Sequence, residues 1–165
     1  MKKLILLLAA FTLVTVVPTN AQKYGHINSQ EILKAMPGVE NIEVQLKAYQ
    51  DTLIEMGQEM VAEYNTKKEK FDKEAGTMST IVRQTREQEI QSLAERITTL
   101  QQNMESDLQE KYLALQQPFI TQLQNAIKEV AEENKYTYIF DTQILLFYEN
   151  GDDVTALVKK KLGIN

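Results

Sequence analysis

The residues with the clearest potential for catalysis or metal binding are the single histidine, His26, and the aspartates Asp141, Asp152 and Asp153. A histidine can move protons near neutral pH, but it needs an acid or a nucleophile beside it to do so. His26 lies by a short strand-like stretch with neither nearby in sequence, so a structural role is expected. The aspartates could gather round a hard cation, yet calcium wants roughly six to eight oxygens. They read more simply as a strand end and a helix cap. The sequence holds no glycine-rich phosphate loop, nucleophile elbow or zinc spacing, and no cysteine for a disulfide or thiolate site. The expectation is a protein that is not an enzyme and takes no metal or cofactor.

What remains is non-covalent apolar contact, carried by two long stripes. Ile42, Leu46, Tyr49, Leu53, Met56, Met60, Tyr64 and Phe71, with Lys67 or Lys68 at a missing turn, span 29 residues in eight steps. Ile90, Leu93, Ile97, Leu100, Met104, Leu108, Tyr112, Leu115, Phe119, Leu123, Ile127 and Val130 span 40 in eleven steps. Both average about 3.6 residues per step, the α-helical period, against 2.0 for a strand and 3.5 for a strict heptad. Two nearly straight helices of about 55 and 80 Å follow at 1.5 Å per residue. Between them, Gly76 suits a helix stop, Thr77 or Ser79 a helix start, and so short a link makes the neighbours antiparallel. Pro118 falls inside the second stripe and should bend that helix without ending it. Met56, Met60 and Met104 read first as packing, although methionine also suits adaptable binding surfaces. Ile54 and Val61 lie off the first stripe, and Leu113 and Ile120 off the second; these four either widen the seam or face a partner.

Charge follows the same division. Residues 40–63 carry six acids against one lysine, a distinctly acidic stem. The tip, residues 64–90, carries Lys67, Lys68, Lys70, Lys73, Arg83 and Arg86 against five acids. The plain reading of the tip is a solvated surface with i,i+4 pairs, and the alternative is contact with an anionic membrane surface or acidic partner.

The ends of the chain differ from the arm. Lys2 and Lys3 precede an apolar run from Leu4 to Val17, and Pro18-Thr19-Asn20-Ala21 follows. About 14 apolar residues are too few to span a bilayer, so 1–21 reads as a signal peptide cut after Ala21. Removing Lys2 and Lys3 leaves 16 basic residues of 18 against 23 acidic ones, a net charge of about −7. That balance argues against nucleic acid as a partner. Tyr24–Asn28 reads as a strand, followed by a short helix to Met36 with a capping box between Asn28 and Glu31, stopped by Pro37-Gly38. Near the other end, 136–141 and 144–148 read as strands, the second apolar on both faces. Asn150-Gly151-Asp152 reads as a turn and helix cap, and a last helix ends at Gly163. The fold class expected is mainly α with a small β base: 22–38 and 134–165 form the base and 39–133 the hairpin arm. A base of about 50 residues without disulfide or metal has too small a core to stand alone, so it should associate. Ile139, Phe140, Leu145, Phe147, Val154 and Leu157 are the residues expected at that contact. Spacing does not fix the number of subunits.

The order of elements resembles the Skp/OmpH family of periplasmic chaperones. The most specific stretch is Pro118 to Leu162: Ala126-Ile127-Lys128-Glu129-Val130-Ala131-Glu132-Glu133-Asn134 leads into Tyr136-Thr137-Tyr138-Ile139-Phe140-Asp141. Leu145-Leu146-Phe147-Tyr148 and Asp152-Asp153-Val154-Thr155 follow. The resemblance implies a homotrimer whose base elements associate and whose arms enclose unfolded outer-membrane β-barrel proteins without ATP. A hinge at Pro118 would then let the arms adapt to client volume. In one respect the chain departs from the family: its best-known members are basic, and this mature chain is acidic. The competing reading is a structural or adaptor coiled coil of the envelope, docking one fixed partner.

Overall fold

The computed structural model describes residues 22–149 and 151–164. The expected signal peptide, 1–21, and Asn150 of the expected turn lie outside the described residues. Strand β1 (Tyr24–Ile27) leads to helix α1 (Ser29–Ala35), then to the long helices α2 (Glu40–Glu74) and α3 (Thr80–Asn134). Strand β2 (Tyr138–Asp141), the two-residue β3 (Asp152–Asp153) and helix α4 (Thr155–Lys161) complete the chain. No helix among the described residues is long and apolar enough to cross a membrane.

The hairpin is as periodicity predicts, with one change. Every residue of the second stripe is buried or half-buried, and α3 runs unbroken through Pro118. On α2 the inward position after Leu53 is Gly57, not Met56, which is 41% exposed. A Cβ at position 57 would meet Leu100 Cδ2 at 3.5 Å, an ordinary van der Waals contact, so this inward position faces Leu100 across the seam. Lys67 fills the missing turn, bridging Glu63 of its own helix and Glu89 of α3 at 3.5 Å each. The turn departs from expectation at Gly76. The left-handed glycines are Gly38 and Gly163, whereas α2 tightens into a 3₁₀ turn, Ala75–Thr77, that needs no positive φ. Ser79 then caps α3, its hydroxyl accepting from the Val82 amide.

The base is a three-stranded parallel sheet with β1 in the centre, β2 on one edge and β3 on the other. Its inner face packs on α1, α4 and the last turns of α3. Ile27, Ile32, Met36, Leu123, Ala126, Val130, Val154 and Val158 form the buried core. The base thus takes its central helix from the longer limb of the hairpin, and Pro118 stands beside Phe119, which packs under Gly38 where the arm meets the base.

The expected strand at 144–148 is not a strand. Two tight turns, Ile144 to Asp141 and Leu145 to Thr142, lead the chain off the sheet, and Ile144, Leu146, Phe147 and Tyr148 lie exposed. Both edges of β1 are already occupied, so this apolar run has no free edge beside β1 within one chain. The third strand is Asp152–Asp153 instead. The expected side-chain cap of α4 does not form: its N-cap residue is Val154, Asp153 Oδ1 accepts from the Thr155 amide just ahead of the helix, and Asp152 is engaged elsewhere. Only half of the capping box at α1 forms. Asn28 Oδ1 accepts from the Glu31 amide, but the Asn28 amide donates to Thr155 Oγ1 and Glu31 pairs with Lys159.

Candidate functional site

Two helices can cover each other on only one side, and the side left open holds a groove in the middle of the arm. Leu53, Ile54, Gly57, Val61, Leu100 and Met104 are among its lining residues, enclosing ≈ 450 Å³. A second hollow of ≈ 630 Å³ shares Gln101 and Met104 with it and continues along Leu46, Leu108 and Tyr112 toward the base. Ile54 and Val61, two of the four off-stripe candidates, therefore belong to one concave apolar surface. They are about two-fifths exposed, 41% and 40%. Leu113 is exposed and Ile120 half-buried, and neither lines the groove. Gly57, Gln58, Ala62, Asn65 and Gln101 are lining residues that sequence reasoning missed, and at Gly57 the reason is that a glycine carries no hydropathy signal. The available clue was spacing, since a small residue at 57 preserves the helical step from Leu53 to Met60.

The second apolar surface is the outer face of the sheet. Strand alternation sends Gly25, Ile27 and Ile139 inward, and Tyr24, His26, Tyr138 and Phe140 outward. Tyr24 stacks on Tyr138 at 6.0 Å between centroids, and Tyr138 on Phe140 at 5.8 Å. His26 sits 4.7 Å from the Tyr148 ring, and a Cβ at Gly151 would be 3.2 Å from its Nδ1. Its place in the structure is to seat the 142–149 loop against the sheet. Of the residues expected at an association contact, Phe140, Phe147 and Leu157 are exposed and Leu145 is half-buried. Ile139 points into the protomer core, and Val154 is fully buried there. Val154 is corrected to a core residue, because a side chain enclosed by its own chain cannot meet another. Tyr24 and Tyr138 share the outer face and were missed, although the alternation along β1 and β2 could have revealed them.

The aspartates are spread over separate structural bonds. Asp141 accepts from Ser29 Oγ and from the Gln143 amide. Asp152 accepts from Tyr136 Oη at 2.8 Å and pairs with Lys23 Nζ at 3.2 Å, while that ammonium also lies 4.0 Å over the Tyr136 ring. The Tyr136 hydrogen bond and the Lys23 charge hold the Asp152 carboxyl below the usual carboxylate range. Lys161 bonds Glu133 and Glu129, which keep its ammonium above the usual lysine range. At the tip, Lys68, Lys73 and Arg86 are paired within their own helices, as expected of a solvated surface.

Known proteins agree with this architecture. The family model described as Outer membrane protein (OmpH-like) matches residues 23–162. Relatives named Chaperone protein Skp, from Yersinia enterocolitica and Photorhabdus luminescens, are 24% and 26% identical to it over 143 residues. They align with 86% of this chain and with 87% and 86% of their own. The crystal structure of an OmpH-like protein from Caulobacter crescentus superposes with a TM-score of 0.60 at 12% identity. The match covers 86% of this chain and 83% of that one, and carries the fold alone.

Proposed function

Since the chain belongs to the OmpH-like outer membrane protein family, we propose that it is an ATP-independent holding chaperone of the periplasm. It would bind unfolded outer-membrane β-barrel proteins and keep them from aggregating. The observation that carries this reading is the open mid-arm groove. It is concave and apolar, and lined by aliphatic and methionine side chains that can adapt to varied segments. A holding surface needs many weak contacts of this kind, and several arms joined at one base raise the effective concentration of each. The exposed aromatic face of the sheet, with Phe140, and the exposed Phe147 and Leu157 elsewhere on the base offer surface for such joining, and the assembly we propose is a homotrimer.

Dilution of a denatured outer-membrane barrel into the mature chain tests the function, with light scattering and mass followed together. A soluble complex, unaffected by ATP, is expected, and Ile54→Lys with Val61→Lys should weaken holding while leaving helicity and subunit number intact. Aggregation at the rate of the barrel alone would refute the reading and leave a fixed-partner adaptor in its place.

A further inference from the structure

We propose that the mid-arm groove selects client segments in which apolar side chains stand beside lysine or arginine. The inference rests on the chaperone reading and adds the chemistry of the occupant. The groove floor is aliphatic, but its borders are acidic. At 100° per residue, Asp51 and Glu55 fall on the side of α2 that carries Gln58 and Ala62, both of which line the groove. Across from them, Glu105 lines the continuing hollow between Gln101 and Gln109.

The nearby cations offset Asp51 but not Glu55 or Glu105. Lys47 pairs with Asp51 at 3.5 Å, Lys67 is shared between Glu63 and Glu89, and Lys111 lies 5.4 Å over the Tyr49 ring. Among the described residues, the ion pairs leave out Glu55, Glu59 and Glu105. An apolar segment entering the groove displaces water, which strengthens whatever charges meet at the rim. Lysine or arginine there would find carboxylates, whereas glutamate would meet like charge with no compensation. The apolar floor supplies general affinity, and the rim supplies the preference.

The test uses two fluorescent peptides of equal length and equal apolar content, one carrying lysines and the other glutamates at the same positions. Binding to the mature chain is read by anisotropy at low and high salt. The lysine peptide should bind roughly tenfold tighter, the yield of two or three exposed ion pairs. That margin should collapse near 1 M salt, where the screening length falls to about 3 Å. Glu55→Gln with Glu105→Gln should erase most of the preference at unchanged helicity and mass. Glu74→Gln with Glu87→Gln removes the same charge at the tip and should leave the preference in place, which separates the groove from a general attraction to an acidic protein. Equal binding of the two peptides, or a preference that survives in the groove variant, overturns the inference while a barrel still held in solution preserves the chaperone reading. Failure to hold the barrel refutes that reading instead.

Discussion

Arm and base bury apolar surface in different ways. Along the paired length of the arm, only Ile42, Leu53 and Leu93 are buried, whereas the much shorter base closes over eight core residues. Ion pairs divide similarly. Several in the arm, Lys47 with Asp51, Lys68 with Asp72 and Lys73 with Glu69, join residues of one helix; Lys67 to Glu89 crosses the seam. In the base, Lys161 reaches from α4 to Glu129 and Glu133 of α3, and Lys159 to Glu31 of α1. The arm's charges therefore mostly stiffen each rod, and Lys67 with Glu89 is the pair that ties one to the other. Those of the base fasten separate elements. The difference suits an arm that yields and a base that does not.

Substitutions can break or sharpen that contrast. The largest expected effect is on assembly: Phe140→Arg with Phe147→Arg places charge at two exposed positions of the base and should reduce the particle to single chains by light scattering. Helicity should persist, and an unchanged mass would remove these residues from the contact. Within the protomer, Ile32→Ala should cost about 3 kcal/mol in urea unfolding, because the base is closed round it. Leu53→Ala should cost about 2 kcal/mol, since side chains along an open groove can partly refill the space. Equal losses would mean that the seam is as tightly packed as the base. Pro118→Ala restores an amide donor to the Ala114 carbonyl where the arm joins the base. Distances between spin labels at the arm tips should then spread over a narrower range, and an unaltered distribution and client range would rule out a hinge there.

Asp152→Asn is the mildest change. Its carboxyl titrates lower in the folded chain than in the unfolded one. Its contribution is thus complete above the ordinary carboxylate range, near pH 4, and is lost as pH falls through the folded value. The variant should melt slightly earlier at neutral pH and lose less than the parent on acidification. Parallel melting curves against pH would contradict this.

The arm was legible because its period is a property of the helical backbone, which a run such as Leu93-Ile97-Leu100-Met104 displays whatever lies opposite. Gly57 was not, since a glycine at an inward position facing Leu100 leaves no mark on hydropathy. At the base, Tyr138-Ile139-Phe140 was recognisable as a strand, but treating Ile139 and Phe140 alike ignored the alternation that sends them to opposite faces. The 144–148 run has strand composition without a strand's position, because β2 and β3 occupy both sides of β1 in the same chain. Assigning the α4 cap to Asp152 failed for a local reason. Its carboxylate is taken by Lys23 and Tyr136, and α4 starts behind Val154 with no side-chain cap.

The central position of β1 has a consequence for the order of folding. Tyr24 pairs with Tyr138 and His26 with Asp153, partners separated by almost the whole described chain. Closing such a loop from an open coil is entropically costly, and contacts of that separation form slowly. The hairpin offers a shorter route. Once the turn at 75–79 nucleates and the helices zip toward the base, the intervening chain is already folded back on itself and the strands are brought within reach. Refolding should then be slowed by weakening the turn, as in Ser79→Ala, while weakening the sheet mainly hastens unfolding. The arm would serve the nascent molecule as a splint before it serves anything else.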